Sequence, residues 1–230
     1  MYRRVILKLS GEVLSGPGGP LDSDRLKIFV KEIASVVSSG AQVGIVLGGG
    51  NLIRGRSSGG DRVHADRMGM LATILNGLAF QEELQQRNIP CQLFSALKGE
   101  AWLEPYDRDN AVCALESGKV AIFAGGTGLP FLSTDTAAAL RGLEIQADAL
   151  LKITRVKGVY DKDPEKYPDA IFFPELTYKE VLEKRLGIMD LTAISLCMEF
   201  DLPIIVFSMF ETGNLERVMA GEKIGSIIRG

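Results

Sequence analysis

The chain has 230 residues, 46% of them hydrophobic, and a formal net charge of −3; this is enough apolar material for a substantial core, and one domain over 1–230 is expected. No basic block or basic–aromatic alternation marks a nucleic-acid surface, no apolar run approaches a membrane span, and Val5-Ile6-Leu7 is too short for a signal-peptide core. A single histidine, His64, argues against hydrolase triads and histidine-rich metal sites, and Cys91, Cys113 and Cys197, widely spaced and in apolar runs, read as buried reduced thiols of a cytoplasmic protein with no protein-built metal site.

Residues 5–9 read as a first strand, apolar enough for a central parallel position, that runs into Ser10-Gly11. Lys8 is the oddity there. Either it faces a cleft with anionic company, since burial is otherwise costly, or it sits on an edge strand in water; sequence leaves both open. After the turn-rich stretch 16–20, Asp22 or Ser23 can cap a helix with Leu26, Phe29, Val30, Ile33, Val36 and Val37 at helical spacing, and Gly40 stops it. A second strand, 42–47, leads directly into Gly48-Gly49-Gly50-Asn51, a loop that permits close backbone approach, with Arg54 beyond it as a fork for phosphate. A loop at 57–60 precedes a long helix carrying Met68, Leu71, Ile74, Leu75, Leu78 and Leu84, read mostly as core. Asp66, near its first turns, either complements the helix dipole or faces a ligand. Pro90 breaks the helix, and a short strand at 91–94, a loop at 98–106 and a helix at 109–116 follow.

Residues 119–141 look like the organising stretch: an apolar run, then Gly125-Gly126-Thr127-Gly128, then Ser133-Thr134-Asp135-Thr136 and an alanine-rich helix. Backbone N–H groups and a helix N-terminus gather there, and an anionic ligand would fit. The second half begins with a strand at 149–153, Thr154 and a loop at 158–164. Thr177 and Glu180 match a capping box, a helix from Asp190 places Ile194, Met198 and Phe200 on an apolar side, and strands follow at 203–207 and 225–228. The alternation of strand and helix predicts a doubly wound, largely parallel open sheet with helices on both faces, an α/β/α sandwich. Ligands in such sheets bind at the carboxyl ends of the strands, where the loops after Leu9, Leu47 and Ala124 would gather.

Those loops, with Lys8 and Arg54 among them, describe a site for several phosphate groups. Neither GxxxxGK[ST] nor GxGxxG occurs, so the leading class is a kinase without a P-loop. The runs Lys8-Leu9-Ser10-Gly11-Glu12, Gly48 through Gly55, Asp66 through Thr73, Gly126-Thr127-Gly128 through Thr134-Asp135, Lys152 through Asp163 and Met189-Asp190-Leu191 closely resemble the bacterial-type uridylate (UMP) kinase family, in order and over nearly the whole chain. The resemblance implies the amino-acid kinase fold and transfer of the ATP γ-phosphoryl group to UMP. Position by position it implies that Lys8, Leu9, Ser10, Gly11, Gly50 and Arg54 meet the ATP phosphates and that Thr154, Tyr160 and Asp163 form the adenosine side. UMP would be held by Gly49, Asp66, Thr127, Gly128, Leu129, Pro130, Phe131, Leu132, Ser133 and Thr134. Lys8, Arg54 and Asp135 are the catalytic candidates, Asp135 by orienting Lys8 or the magnesium-bound phosphates, with Mg2+ arriving on ATP. The family further implies a homohexamer activated by GTP and inhibited by UTP, although the loop 16–20 is short and proline-rich for the region linked to the GTP response. Another family member acting on a carboxylate or carbamate is the nearest alternative, and a nucleotide-binding sensor without turnover is the alternative from a different class.

Overall fold

The structure is a computed structural model that describes residues 1–53, 61–99 and 101–230; the expectations for Arg54 and for the loop 57–60 lie outside them. In chain order the elements are β1 (Arg4–Leu9), α1 (Gly11–Leu14), α2 (Ser23–Ser38), β2 (Gln42–Leu47), α3 (Arg62–Gln86), β3 (Cys91–Ser95), β4 (Glu104–Pro105), α4 (Arg108–Glu116), β5 (Val120–Ala124) and α5 (Thr134–Glu144). They continue with β6 (Ala149–Thr154), β7 (Val159–Tyr160), β8 (Phe172–Phe173), β9 (Glu175–Thr177), α6 (Tyr178–Glu183), α7 (Leu191–Glu199), β10 (Ile204–Ser208), α8 (Asn214–Met219) and β11 (Ser226–Arg229).

Nine strands form one sheet in the order β4-β3-β5-β2-β1-β6-β10-β11-β9, and only the β10–β11 pairing is antiparallel. β1 lies in the middle, which its apolar sequence requires, because a parallel strand is covered on both faces. Its side chains alternate: Val5, Leu7 and Leu9 face a layer built from α2, α3 and α8, while Ile6 faces one built from α4, α5, α6 and α7. This is the expected α/β/α sandwich. The strand C-termini of β1, β2 and β5 share one edge, as the order of the loops implied.

The caps are where the chain's signals placed them. Asp22 caps α2 by accepting from the Asp24 and Arg25 N–H groups, and Thr177 with Glu180 forms a complete capping box on α6. Three burial expectations fail. On α3, Met68, Leu71 and Leu75 are exposed, whereas Ala65, Ala72, Thr73, Asn76 and Gly77 turn inward. The reason is close packing: a Cβ on Gly77 would stand 2.8 Å from Leu93 Cδ1 of β3, so small residues face the sheet. On α7, Ile194 is buried with Ala193 and Cys197, but Met198 and Phe200 are exposed. Finally Cys91 is only half-buried and Cys113 is exposed, so Cys197 alone fits the buried-thiol reading.

Candidate active site

The site begins where the strand alternation breaks. On the face carrying Ile6 and Leu150, the next inward positions are Lys8 of β1 and Lys152 of β6, and these are register partners on adjacent strands. Val46 and Val206 flank them in the same row. Two ammonium groups side by side on a covered sheet face repel each other and lack water. Asp135, in the first turn of α5, offsets both problems, with its carboxylate 2.8 Å from Lys8 Nζ and 2.9 Å from Lys152 Nζ. The three side chains are only 7%, 11% and 17% exposed for Lys8, Lys152 and Asp135, so Lys8 has the anionic company of the first reading, and its central strand excludes the edge-strand reading.

Burial pushes the Asp135 carboxyl up, but the Lys8 and Lys152 charges outweigh it and hold its pKa below the ordinary value. Lys152 moves the other way. Burial first, and then the charge of Lys8, lower its pKa to about 8 against the support of Asp135 and Asp190. The group is therefore a buried centre of two ammoniums and one carboxylate, and it would attract anions.

Two cavities border the elements that carry it. One, of about 150 Å³, is lined by Gly49, Gly50, Asp66, Gly126, Thr127, Leu132, Ser133 and Thr134, the last adjacent in sequence to Asp135, with Ala65, Gly69, Met70 and Thr73 of α3 and Ile53 completing its wall. The other, of about 460 Å³, has Lys152, Thr154, Tyr160, Asp161, Lys162 and Asp163 in its wall, with the 185–188 turn opposite. Thr154, Tyr160 and Asp163, expected together, are together; the Tyr160 ring leans on Phe172 at 5.4 Å.

The acceptor-side residues divide. Gly49, Asp66, Thr127, Leu132, Ser133 and Thr134 meet in the smaller cavity, and Gly50, expected on the ATP side, lines it too. Gly128, Leu129, Pro130 and Phe131 line neither cavity. Gly128 is used for loop shape, with φ +79° and a hypothetical Cβ 2.9 Å from Ala96 O. Leu129 and Phe131 are exposed, and Phe131 holds a left-handed φ of 69°. Asp66 lines the cavity, in keeping with its ligand-facing reading, and stands beyond the first turn of α3, where it accepts from the Phe131 N–H at 2.7 Å and from Arg62 Nε at 2.8 Å. Leu9 is buried in the core, so only its backbone is available to a ligand. Ser10 is the N-cap of α1, and Gly11 lies against the second glycine loop, where a Cβ would meet Gly50 N at 2.6 Å.

Residues that were not singled out from sequence fix this geometry. Asn76, wholly buried on α3, donates to Gly48 O at 2.7 Å and exchanges amide hydrogen bonds with Asn51, which anchors the 48–51 loop. Thr73 Oγ1 accepts from Gly125 N–H at 2.7 Å and so joins α3 to the other glycine loop. Lys152 carries the same signal as Lys8, a lysine breaking an apolar strand.

A parallel sheet with a cationic pair toward its C-terminal edge and two cavities bordering the elements that carry that pair has the makings of a site for anionic ligands. The chain belongs to the amino acid kinase family, whose model matches residues 3–208. It is similar to solved structures of a UMP kinase from Bacillus anthracis, at 37% identity and a TM-score of 0.94 over 99% of this chain and 96% of that one, and of a UMP kinase from Ureaplasma parvum, at 33% and 0.91 over the whole of both. A uridylate kinase from Archaeoglobus fulgidus is 29% identical, with a TM-score of 0.73 over 97% of this chain and 99% of that one.

Proposed function

We propose that the protein transfers the γ-phosphoryl group of ATP to UMP, giving UDP and ADP, as a step of pyrimidine nucleotide synthesis. The observation that carries this is the Lys8–Asp135–Lys152 group, with Lys152 in the wall of one cavity and Ser133 and Thr134, close to Asp135 in sequence, in the wall of another. UMP occupies the cavity of Gly49, Asp66, Thr127 and 132–134, and the adenosine of ATP the larger one with Thr154, Tyr160 and Asp163. Lys8 and Lys152 neutralise the donor and acceptor phosphates, joined by Arg54 as the family resemblance implies, while Asp135 keeps the two ammoniums apart and aimed.

No general base is required, because the second pKa of a phosphate acceptor is about 6 and the nucleophilic oxygen is already anionic near neutral pH. Magnesium enters on ATP as part of the substrate, neutralising phosphate charge. Asp135 fits that arrangement, since its carboxylate is taken up by two ammonium groups. One nine-stranded sheet that takes in both β1 and β11 supports one domain over 1–230. The exposed strip of Met68, Leu71 and Leu75 on α3 supports a homo-oligomer; the homohexamer, GTP and UTP as effectors and a cytoplasmic setting rest on the family resemblance. No helix of the described residues is long and apolar enough to cross a membrane.

The test is ADP release from MgATP with UMP, CMP, acetylglutamate or carbamate as acceptor, with and without GTP. Preference for UMP is expected. Faster release with acetylglutamate or carbamate, or binding of both nucleotides with no UDP formed, would overturn the reading.

A further inference from the structure

We infer that Asp190, at the start of α7, is a positioning residue that clamps the first turn of α5 so that Asp135 stays seated between Lys8 and Lys152. This rests on the phosphoryl-transfer reading. Two residues flank Asp135 at the helix start, and both are tied to the one carboxylate of Asp190. Thr136 Oγ1 donates to its two oxygens at 2.9 and 3.0 Å, and Ser133 Oγ donates to Oδ2. The Ser133 hydroxyl in turn accepts from the backbone N–H groups of Asp135 at 3.0 Å and Thr136 at 3.3 Å. Asp190 also caps its own helix by accepting from Ala193 N–H at 2.9 Å.

Capping alone does not account for this arrangement. α5 already has its N-cap in Ser133, and α7 needs only one oxygen of Asp190. The remaining bonds cross between helices and close on the turn that carries the bridging carboxylate. Thr136 is 3% exposed and lines neither cavity, so its hydroxyl serves the clamp and not a ligand. Misplacing a transfer group by about 1 Å costs on the order of 100-fold in rate, so holding this turn bears on turnover. The charge of Asp190 also reaches Lys152, whose facing charged groups are Lys8 from β1, Asp135 from α5 and Asp190 from the start of α7.

The experiment compares the parent with Thr136→Val, Asp190→Asn and, as a reference, Asp135→Asn. Thr136→Val removes the Thr136 arm of the clamp, two of its three side-chain bonds between the helices, while leaving the α7 cap and both cavities intact, so it remains readable if Asp190 variants fold poorly. Steady-state kinetics across pH should show kcat lowered about tenfold in Thr136→Val and Asp190→Asn, with both KM values within about twofold of the parent and the alkaline limb of kcat moved to lower pH. Parental kcat in folded Thr136→Val, whatever Asp190→Asn does, overturns the clamp, as does a loss confined to KM. If the parent itself gives no UMP-dependent ADP release, the functional reading fails and the clamp is judged on the Lys152 titration, followed by NMR on lysine labelled at Cε. A lowered midpoint in both variants upholds it, and an unmoved midpoint overturns it.

Discussion

Lys152 is the residue at which stability and function pull apart. Its pKa is lowered to about 8 by burial and by Lys8, so the folded protein holds that proton less firmly than the unfolded chain, where the ordinary value is 10.5. Between those values the unfolded state binds more protons and stability rises with pH; below about 8 the charged lysine is a constant penalty on the fold. Lys152→Met should therefore be more stable than the parent at pH 7, by on the order of 1 kcal/mol, with the difference shrinking as pH rises from 8 toward 10.5. Thermal unfolding at several pH values reads this directly, and a destabilised variant at pH 7 would count against a strained site. Activity should move the other way. Lys8→Met and Lys152→Met should each lose at least about 100-fold in kcat, because each removes positive charge from where phosphate charge is transferred. A folded Lys8→Met enzyme within a few-fold of the parent would put the chemistry elsewhere.

At the scale of elements, most strands and helix starts were legible because their signals are local. The apolar runs of β1, β2, β5 and β10, Asp22 before α2 and the Thr177–Glu180 box each act within a few residues. What was not legible depends on partners. The inward face of α3 is set by how closely it lies on the sheet, and the helix is apolar on more than one side, so spacing alone could not tell Ile74 inside from Leu75 outside. The pairing of Lys8 with Lys152 exists only through strand register, and the role of Asp190 only through a contact between two helices. The outward residues of α3 then need their own account. Met68, Leu71 and Leu75 stand 43%, 56% and 56% exposed at helical spacing, a contiguous apolar strip of the kind that marks association. Leu71→Asp combined with Leu75→Asp should lower the mass seen by light scattering or sedimentation while far-UV circular dichroism stays parental. An unchanged mass would show that this strip does not join copies of the chain.

Across the whole molecule, two cavities border the elements that carry one buried centre, and the elements that wall them differ. The smaller cavity is made by α3 and the loops after β2 and β5, and the larger by the segment after β6 and the 185–188 turn. Each nucleotide should therefore stabilise the fold through its own side, by RT ln(1 + [L]/Kd), about 2.7 kcal/mol at a hundredfold excess over Kd. Asp66 gives a way to separate the sides, because it faces the smaller cavity and holds the Phe131 N–H of the loop that closes beside it. In Asp66→Ala both effects are lost from one end only. The rise in Tm produced by UMP should shrink sharply while that produced by ATP persists, and the KM for UMP should rise about tenfold or more with the KM for ATP within about twofold. If ATP lost its stabilising effect and UMP kept it, the two cavities would have to exchange occupants, and Asp66 would belong to the donor.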